Sequence, residues 1–227
     1  MAISIVDSQE VNDAFGDPNS PTLVPLDNST GDAVLLFATW YESVPTVDGF
    51  AIGGMTFFGT PLVKIGYQIT AGVRCEVWGL EVAAAGADNI EITWTGDTTL
   101  GQYTAEFVSV AVNKAASTQV SFSNVTAAAG TSSAPAVSVL KDGDSGLVLA
   151  IGGTLGTSAF TTAETALFES SISLLNWSIV EETSPAAPGT KTMNWTLSSS
   201  DDWNVIGLEV QENAVVTLVS LPVLGTG

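Results

Sequence analysis

Histidine is absent from the 227 residues, and cysteine occurs once, at Cys75. The first absence removes the commonest metal ligand and general base; the second rules out an intramolecular disulfide framework, and together they exclude structural zinc. Lysine and arginine are scarce as well: five of them against 24 acids give a net charge of −19. Charge of that sign repels DNA, RNA and anionic lipid surfaces, so neither nucleic acid nor membrane is expected as a partner. No apolar run approaches the roughly 20 residues of a membrane helix. The opening residues Met1-Ala-Ile-Ser-Ile-Val-Asp lack the positive start and long apolar stretch of a signal peptide. A soluble product is the expectation.

Charged residues make up only 13% of the chain, below the usual quarter, and the deficit is nearly all Lys and Arg. The surface is therefore built of Ser, Thr, Gly, Ala and carboxylates. Such a surface suits a saline medium or an assembly whose partner supplies positive charge. Hydrophobic residues at 45% and six Trp carry more apolar surface than a disordered chain does, so an ordered core is expected.

What is present in quantity is the β-branched run bounded by turn residues, with no long stretch of apolar residues at helical spacing. Strands are expected over 34–40, 62–69, 74–82, 90–95, 104–112, 119–122, 136–140, 147–151, 165–169, 175–181, 191–197 and 205–210. The Ala-rich pieces 83–87 and 127–129 adjoin Gly86 and Gly130 and are read as loops. An internal echo organises the series. Gly31-Asp-Ala-Val-Leu-Leu-Phe-Ala is matched by Gly143-Asp-Ser-Gly-Leu-Val-Leu-Ala, and Trp78 and Ile92-Thr-Trp94-Thr are matched by Trp177 and Met193-Asn-Trp195-Thr. The fold expected is all-β, an antiparallel β-sandwich of jelly-roll or Ig-like type made from two similar half-units, 28–113 and 136–213, packed face to face as one domain. Residues 114–135 are the expected crossover. Residues 1–27, with Pro18, Pro21 and Pro25, read as an extended arm. Residues 214–227 read as a last strand or tail.

The run Lys191-Thr-Met-Asn-Trp-Thr-Leu-Ser-Ser-Ser-Asp-Asp-Trp-Asn-Val-Ile-Gly-Leu-Glu-Val resembles the closing strand pair of β-sandwich modules in tailed-phage virion proteins and bacterial exported proteins, as does the Gly31-Asp32-led strand near the start. The resemblance implies a structural role in a virion, such as capsid decoration or cement at the capsid surface, with a tail or fibre component as the close rival. It implies the major capsid protein or another virion protein as partner, and a homo-oligomer. A carbohydrate-binding or adhesin module, located extracellularly, is the alternative from another class.

Candidate chemistry is thin. Gly143-Asp-Ser-Gly looks like a serine nucleophile segment, but there is no His to activate it and Gly31-Asp-Ala repeats the turn with Ala. Glu42, Asp48, Glu181, Glu182, Asp201 and Asp202 offer carboxylate pairs, which an excess of acids supplies by coincidence. No enzyme and no cofactor are expected. Asp142-Gly-Asp144 is oxygen-rich enough for Ca²⁺ yet is equally accounted for by turn chemistry. Trp78, Trp94, Trp177 and Trp195 fall inside strands and are expected in the core, whereas Trp40, Tyr41 and Trp203 lie near strand ends and are candidates for an exposed contact. The tail residues Val215, Val216, Leu218, Val219 and Leu221 form an apolar segment surplus to the echoed unit, expected to pair within its own sheet or to add to a neighbouring subunit.

The charge imbalance generates a first prediction. Carboxylate self-repulsion acts over a screening length of roughly 30 Å at 0.01 M salt and about 3 Å at 1 M, so the melting temperature should rise as NaCl is added across that range. A flat melting temperature would mean the acids lie too far apart to matter.

Overall fold

The β-branched runs do form strands, and the described residues contain no helix. A computed structural model describes residues 3–14, 21–29, 31–42, 51–70, 73–95, 103–114, 118–142, 146–155, 160–172, 175–181 and 187–214. In chain order the strands are β1 (Ser4–Ala14), β2 (Thr22–Asp27), β3 (Ala33–Glu42), β4 (Ala51–Phe57), β5 (Thr60–Pro61), β6 (Val63–Thr70), β7 (Val73–Leu80), β8 (Ala87–Thr95) and β9 (Tyr103–Asn113). They continue as β10 (Thr118–Ser132), β11 (Ala136–Lys141), β12 (Leu147–Leu155), β13 (Phe160–Thr162), β14 (Thr165–Ile172), β15 (Leu175–Glu181), β16 (Gly189–Leu197) and β17 (Asp201–Ala214).

These strands make two five-stranded sheets, ordered β1-β9-β3-β7-β6 and β10-β17-β12-β15-β14, and two smaller ones, β2-β8-β4-β5 and β11-β16-β13. All pairings are antiparallel. Three apolar cores fix how the sheets stack. Leu35, Phe37 and Val108 of the first large sheet meet Leu149, Ile151 and Leu208 of the second. On its other face the first sheet packs Val34, Leu36 and Phe107 against Val24, Ile90 and Ile92 of its small sheet. The second sheet does likewise, with Val148, Ala150 and Val205 against Val137, Met193 and Trp195. The order of layers is thus small, large, large, small.

This layering explains two sequence patterns. Strands of the large sheets are covered on both faces, so β3 from Ala33 to Trp40 is buried without interruption, and a strand so placed reads as a continuous apolar run. Outer strands face water on one side and alternate instead, as Val24 and Leu26 do in β2 and Met193, Trp195 and Leu197 in β16. Each inner Leu, Ile or Phe that leaves water contributes about 1.5–3 kcal/mol.

Several expectations are corrected. The first 27 residues are not a free arm: β1 pairs with β9, and β2 pairs with β8. Pro25 is accommodated because β2 is the edge of its sheet, where a missing N–H need not break a ladder. The segment expected as a crossover contains β10, fifteen residues long and paired with β17 through its Ala-rich part. Strands β4, β5 and β13 also went unread. Instead of two half-sheets sharing one core, four sheets enclose three. The echo of Trp78 by Trp177 shifts register, since Trp78 lies opposite Leu36 and Trp177 opposite Gly153. Ala214 closes β17; residues 215–227 lie outside the described residues.

Among the described residues, a buried polar connection runs between the two large sheets. The Cys75 thiol on β7 donates to Asn204 Oδ1 on β17 at 2.6 Å, and Asn204 Nδ2 donates to the Val73 carbonyl at 2.9 Å. Both side chains are fully buried. Burial pushes the Cys75 thiol up to about 12 from 9.0, with the Glu76 charge adding to the rise and the Thr39 hydroxyl opposing it. A thiol whose folded pKa exceeds its unfolded one costs no stability below the unfolded value. It removes stability as pH climbs through the interval between the two, by up to about 1.4 kcal/mol per pH unit. Native protein at pH 8 should therefore resist thiol reagents that label it at once in denaturant. Denaturant titrations should show stability falling above about pH 9, and a Cys75→Ala variant should lose less over the same interval; equal alkaline losses would remove Cys75 as the cause.

Candidate interaction surface

Strict alternation along β7 sends Arg74, Glu76 and Trp78 to one face and Val73, Cys75 and Val77 to the other, where the last three join the central core. On the first face a carboxylate is completely buried, and a charge in that position must be paired and hydrogen-bonded. Lys64 Nζ lies 2.7 Å from Glu76 Oε1 and Arg74 Nη2 3.0 Å from the same oxygen, while Trp78 Nε1 donates to Oε2 at 2.7 Å. Two of the chain's five cations thus converge on one acid.

The cations are themselves held by aromatic rings. Lys64 Nζ stands 4.8 Å from the Trp78 ring centre, and the Arg74 guanidinium 5.2 Å from Trp40 and 5.7 Å from Tyr67. Lys64 reaches this face through an irregularity in β6: register shifts between Lys64 and Gly66, so that Lys64, Tyr67 and Ile69 lie opposite Trp78, Glu76 and Arg74. Tyr67 and Ile69 project from it, 58% and 48% exposed. The result is a surface of apolar and cationic side chains on a floor of buried Trp40 and Trp78, in a protein that is acidic elsewhere.

Around the same edge strand lies a second apolar feature. Val63, Ile65, Gly79, Leu80, Val82 and Phe122 are among the residues lining a groove of about 580 Å³ between β6 and β10. Val125 completes it, turned outward by a bulge in β10 in which Asn124 has φ 51° and donates from Nδ2 to Glu209 and Asp142. Close approach there demands glycine: a Cβ on Gly79 would stand 2.5 Å from the Phe122 ring, and one on Gly66 2.8 Å from Val125. Of the nine large hydrophobic side chains exposed among the described residues, Val63, Tyr67, Ile69, Val82 and Val125 belong to this one edge. They form two groups, Val63, Val82 and Val125 at the groove and Tyr67 and Ile69 on the opposite face of β6, and grouped exposed apolar residues are candidates for contact.

The residues singled out from the sequence fare differently. Trp40, expected as an exposed contact, is only 1% exposed and packs edge-on to Trp94 with ring centres 5.9 Å apart, because the small sheet covers that face of β3. It supports the surface from beneath. Tyr41 is half-buried against the central core. Trp203 is half-buried on β17, lies against Gly130 and donates from Nε1 to Ser132. Val215, Val216, Leu218, Val219 and Leu221 lie outside the described residues, as does Asp144. Asp142 accepts from Asn124 and donates its backbone N–H to Glu209 at 3.1 Å. Among the described residues no three His, Cys, Asp or Glu side chains gather as a metal site. Lys64, Tyr67, Ile69 and Arg74 were missed by sequence reading, although alternation along 73–80 carried the signal for the Arg74-Glu76-Trp78 face.

Comparison with protein-family models, with curated proteins and with solved structures gives no match to this chain.

The buried carboxylate should be the weak point of the surface. Replacing Glu76 by Ala leaves two cations and an indole N–H without their acceptor. Because both cations reach solvent at their ends, the expected loss is about 1–3 kcal/mol in urea titration rather than the larger value of a fully enclosed pair. A loss below about 0.5 kcal/mol would show that water replaces the carboxylate without penalty.

Proposed function

We propose that this chain is a non-enzymatic structural protein of a virion, built from two jelly-roll units, which decorates or cements a capsid by contact with the major capsid protein or with sister copies. The observation that carries the reading is the strand order. Counting from β1 and from β10, the two large sheets run through corresponding strands in the same order, first-last-third, and each has a small sheet made of the strands in between. Most successive strands cross between sheets, the hairpins β4–β5, β6–β7 and β14–β15 excepted, and in each large sheet the unit's first and last strands are neighbours. This order supports reading each unit as a jelly roll, with β6 and β14 as additional edge strands, rather than as an Ig-like sandwich. Jelly rolls are used in viral shells and in lectins, so the step from fold to role is analogy and the surface must carry the rest.

The surface that supports it is the β6 edge. A rigid four-layer stack offering Tyr67 and Ile69 flanked by Lys64 and Arg74 suits an acidic or mixed protein surface: aromatic and arginine side chains dominate contact energies, and the acidic remainder limits nonspecific association. The alternative, an adhesin for acidic sugars, draws on the same features, since an exposed Tyr beside cations also stacks and pairs with a charged sugar.

One experiment separates them. Protein incubated with purified capsids should co-sediment and leave a glycan array blank, and the double variant Tyr67→Ala, Ile69→Asp should keep its circular dichroism while binding capsids at least about tenfold more weakly. Array binding without co-sedimentation would replace the virion reading by the adhesin one; unchanged capsid affinity in the variant would move the contact away from β6.

A further inference from the structure

Two features at opposite edges of the first large sheet match each other in charge and in shape. We propose that the cationic and aromatic surface at β6 of one copy docks into an acidic hollow at β1 of a second copy, so that copies associate head to tail. The proposal rests on the reading of the β6 surface as a contact surface, and not on the virion role.

The surface supplies the projecting half. Lys64 and Arg74 share the single carboxylate of Glu76, so this trio carries one positive charge in excess, and the two cations keep 31% and 22% of their side chains exposed. Tyr67 and Ile69 stand out beside them. An aromatic and an aliphatic side chain flanked by cations fit a concave site that offers apolar walls and carboxylates.

Such a site exists on the same chain. A hollow of about 410 Å³ opens between β1 and the neighbouring small sheet, with Asp7 from β1, Pro25, Leu26 and Asp27 from β2, and Asp88 from β8 among its lining residues. Three carboxylates line it and no cation does. Among the described residues, Asp7 accepts from Gln9 Nε2 at 2.9 Å and from the Asp27 backbone N–H at 2.8 Å, and Asp27 accepts from the Ser29 N–H at 2.9 Å. These donors are uncharged and leave the negative charge in place. None of the ion pairs among the described residues involves the three acids.

Register places the two features. Gln9 lies opposite Ser109, Ser109 opposite Leu36, Leu36 opposite Trp78, and Trp78 opposite Lys64. This row crosses the whole sheet, four strand spacings or roughly 19 Å at about 4.8 Å each. Leu36 and Trp78 pack toward the small sheet, and so does Ser109, whose hydroxyl donates to the Pro25 carbonyl at 2.8 Å. Hollow and surface thus share a face and a level at opposite edges, and one copy cannot bring its own two together. A patch and its complement on opposite edges make a heterologous contact, which repeats from copy to copy and yields a ring if the rotation closes and a filament if it does not. Copies of net charge −19 repel at long range, but screening at 0.15 M salt limits that repulsion to about 8 Å, so the local pairs decide at contact.

The test is a complementation between two variants of the full chain, read by analytical ultracentrifugation. At about 100 μM in 0.15 M salt the unaltered chain should sediment as species larger than one chain, as contacts of micromolar affinity do. Asp88→Lys spoils the hollow, and Tyr67→Ala with Ile69→Asp removes the projecting half; each variant alone should associate at least about tenfold more weakly. Mixed one to one, they should form a species of two-chain mass and nothing larger, because one intact surface then meets one intact hollow. An unaltered chain that stays single overturns the proposal, as does a variant that associates undiminished. So does a mixture that stays single while both variants keep the circular dichroism of the unaltered chain; where either loses it, Asp88→Asn and Tyr67→Ser take their place under the same expectations. No capsid is present in any arm, so failure here leaves the capsid contact to its own co-sedimentation test.

Discussion

Mutual burial of two five-stranded sheets is the constraint on which the rest of this molecule rests. A sheet with one wet face needs a single apolar surface; a sheet between two others needs both, and only unbroken runs such as Val34-Leu-Leu-Phe and Leu147-Val-Leu-Ala-Ile meet that demand. Once the inner faces are closed, every polar group between them must find a partner within the protein. The Cys75–Asn204–Val73 connection does so, linking the two sheets at a defined register rather than by shape alone. The outer sheets are then free to alternate and to present the chain's carboxylates to water.

Charge is distributed in the same logic. Five cations cannot pair with 24 acids one to one, so water and salt ions must compensate the acids at the surface. Glu76, Glu106 and Glu209 are buried instead, and around Glu76 the side chains of Lys64, Arg74 and Trp78 close. Lys64 and Arg74, two of the five cations, are thereby gathered in one patch.

The same edge concentrates what the fold leaves unfinished. β6 is the last strand of its sheet, β10 the last of the sheet beneath, and Val63 of the one and Val125 of the other face a common groove. Natural sheets avoid such edges or cover them, and here both bulge. A fold that protects its interior so completely while leaving one apolar edge concentrates its capacity for contact there. The proposed capsid contact at Tyr67 and Ile69 and the groove at Val63, Val82 and Val125 lie on opposite sides of it.

Sequence by itself determined the all-β class, because β-branched runs separated by Gly, Asp and Ser have no helical period. It also determined the overall charge and the position of most long strands, since the inner ones announce themselves as continuous apolar runs. Tertiary structure decided the remainder. Pro18, Pro21 and Pro25 made the first 27 residues look like an arm, and only the edge position of β2 makes Pro25 compatible with a strand. Ala127, Ala128, Ala129 and Gly130 have weak strand preference, yet pairing with Val205, Asn204 and Trp203 among others makes them part of the longest strand, because small side chains leave room for the Trp203 ring. Trp40 looked exposed from its place near a strand end, and a covering sheet from elsewhere in the chain buried it. The Lys64–Glu76–Arg74 surface was least legible, since a one-residue bulge in β6 decides which face Lys64, Tyr67 and Ile69 share, and local sequence does not reveal where a ladder slips.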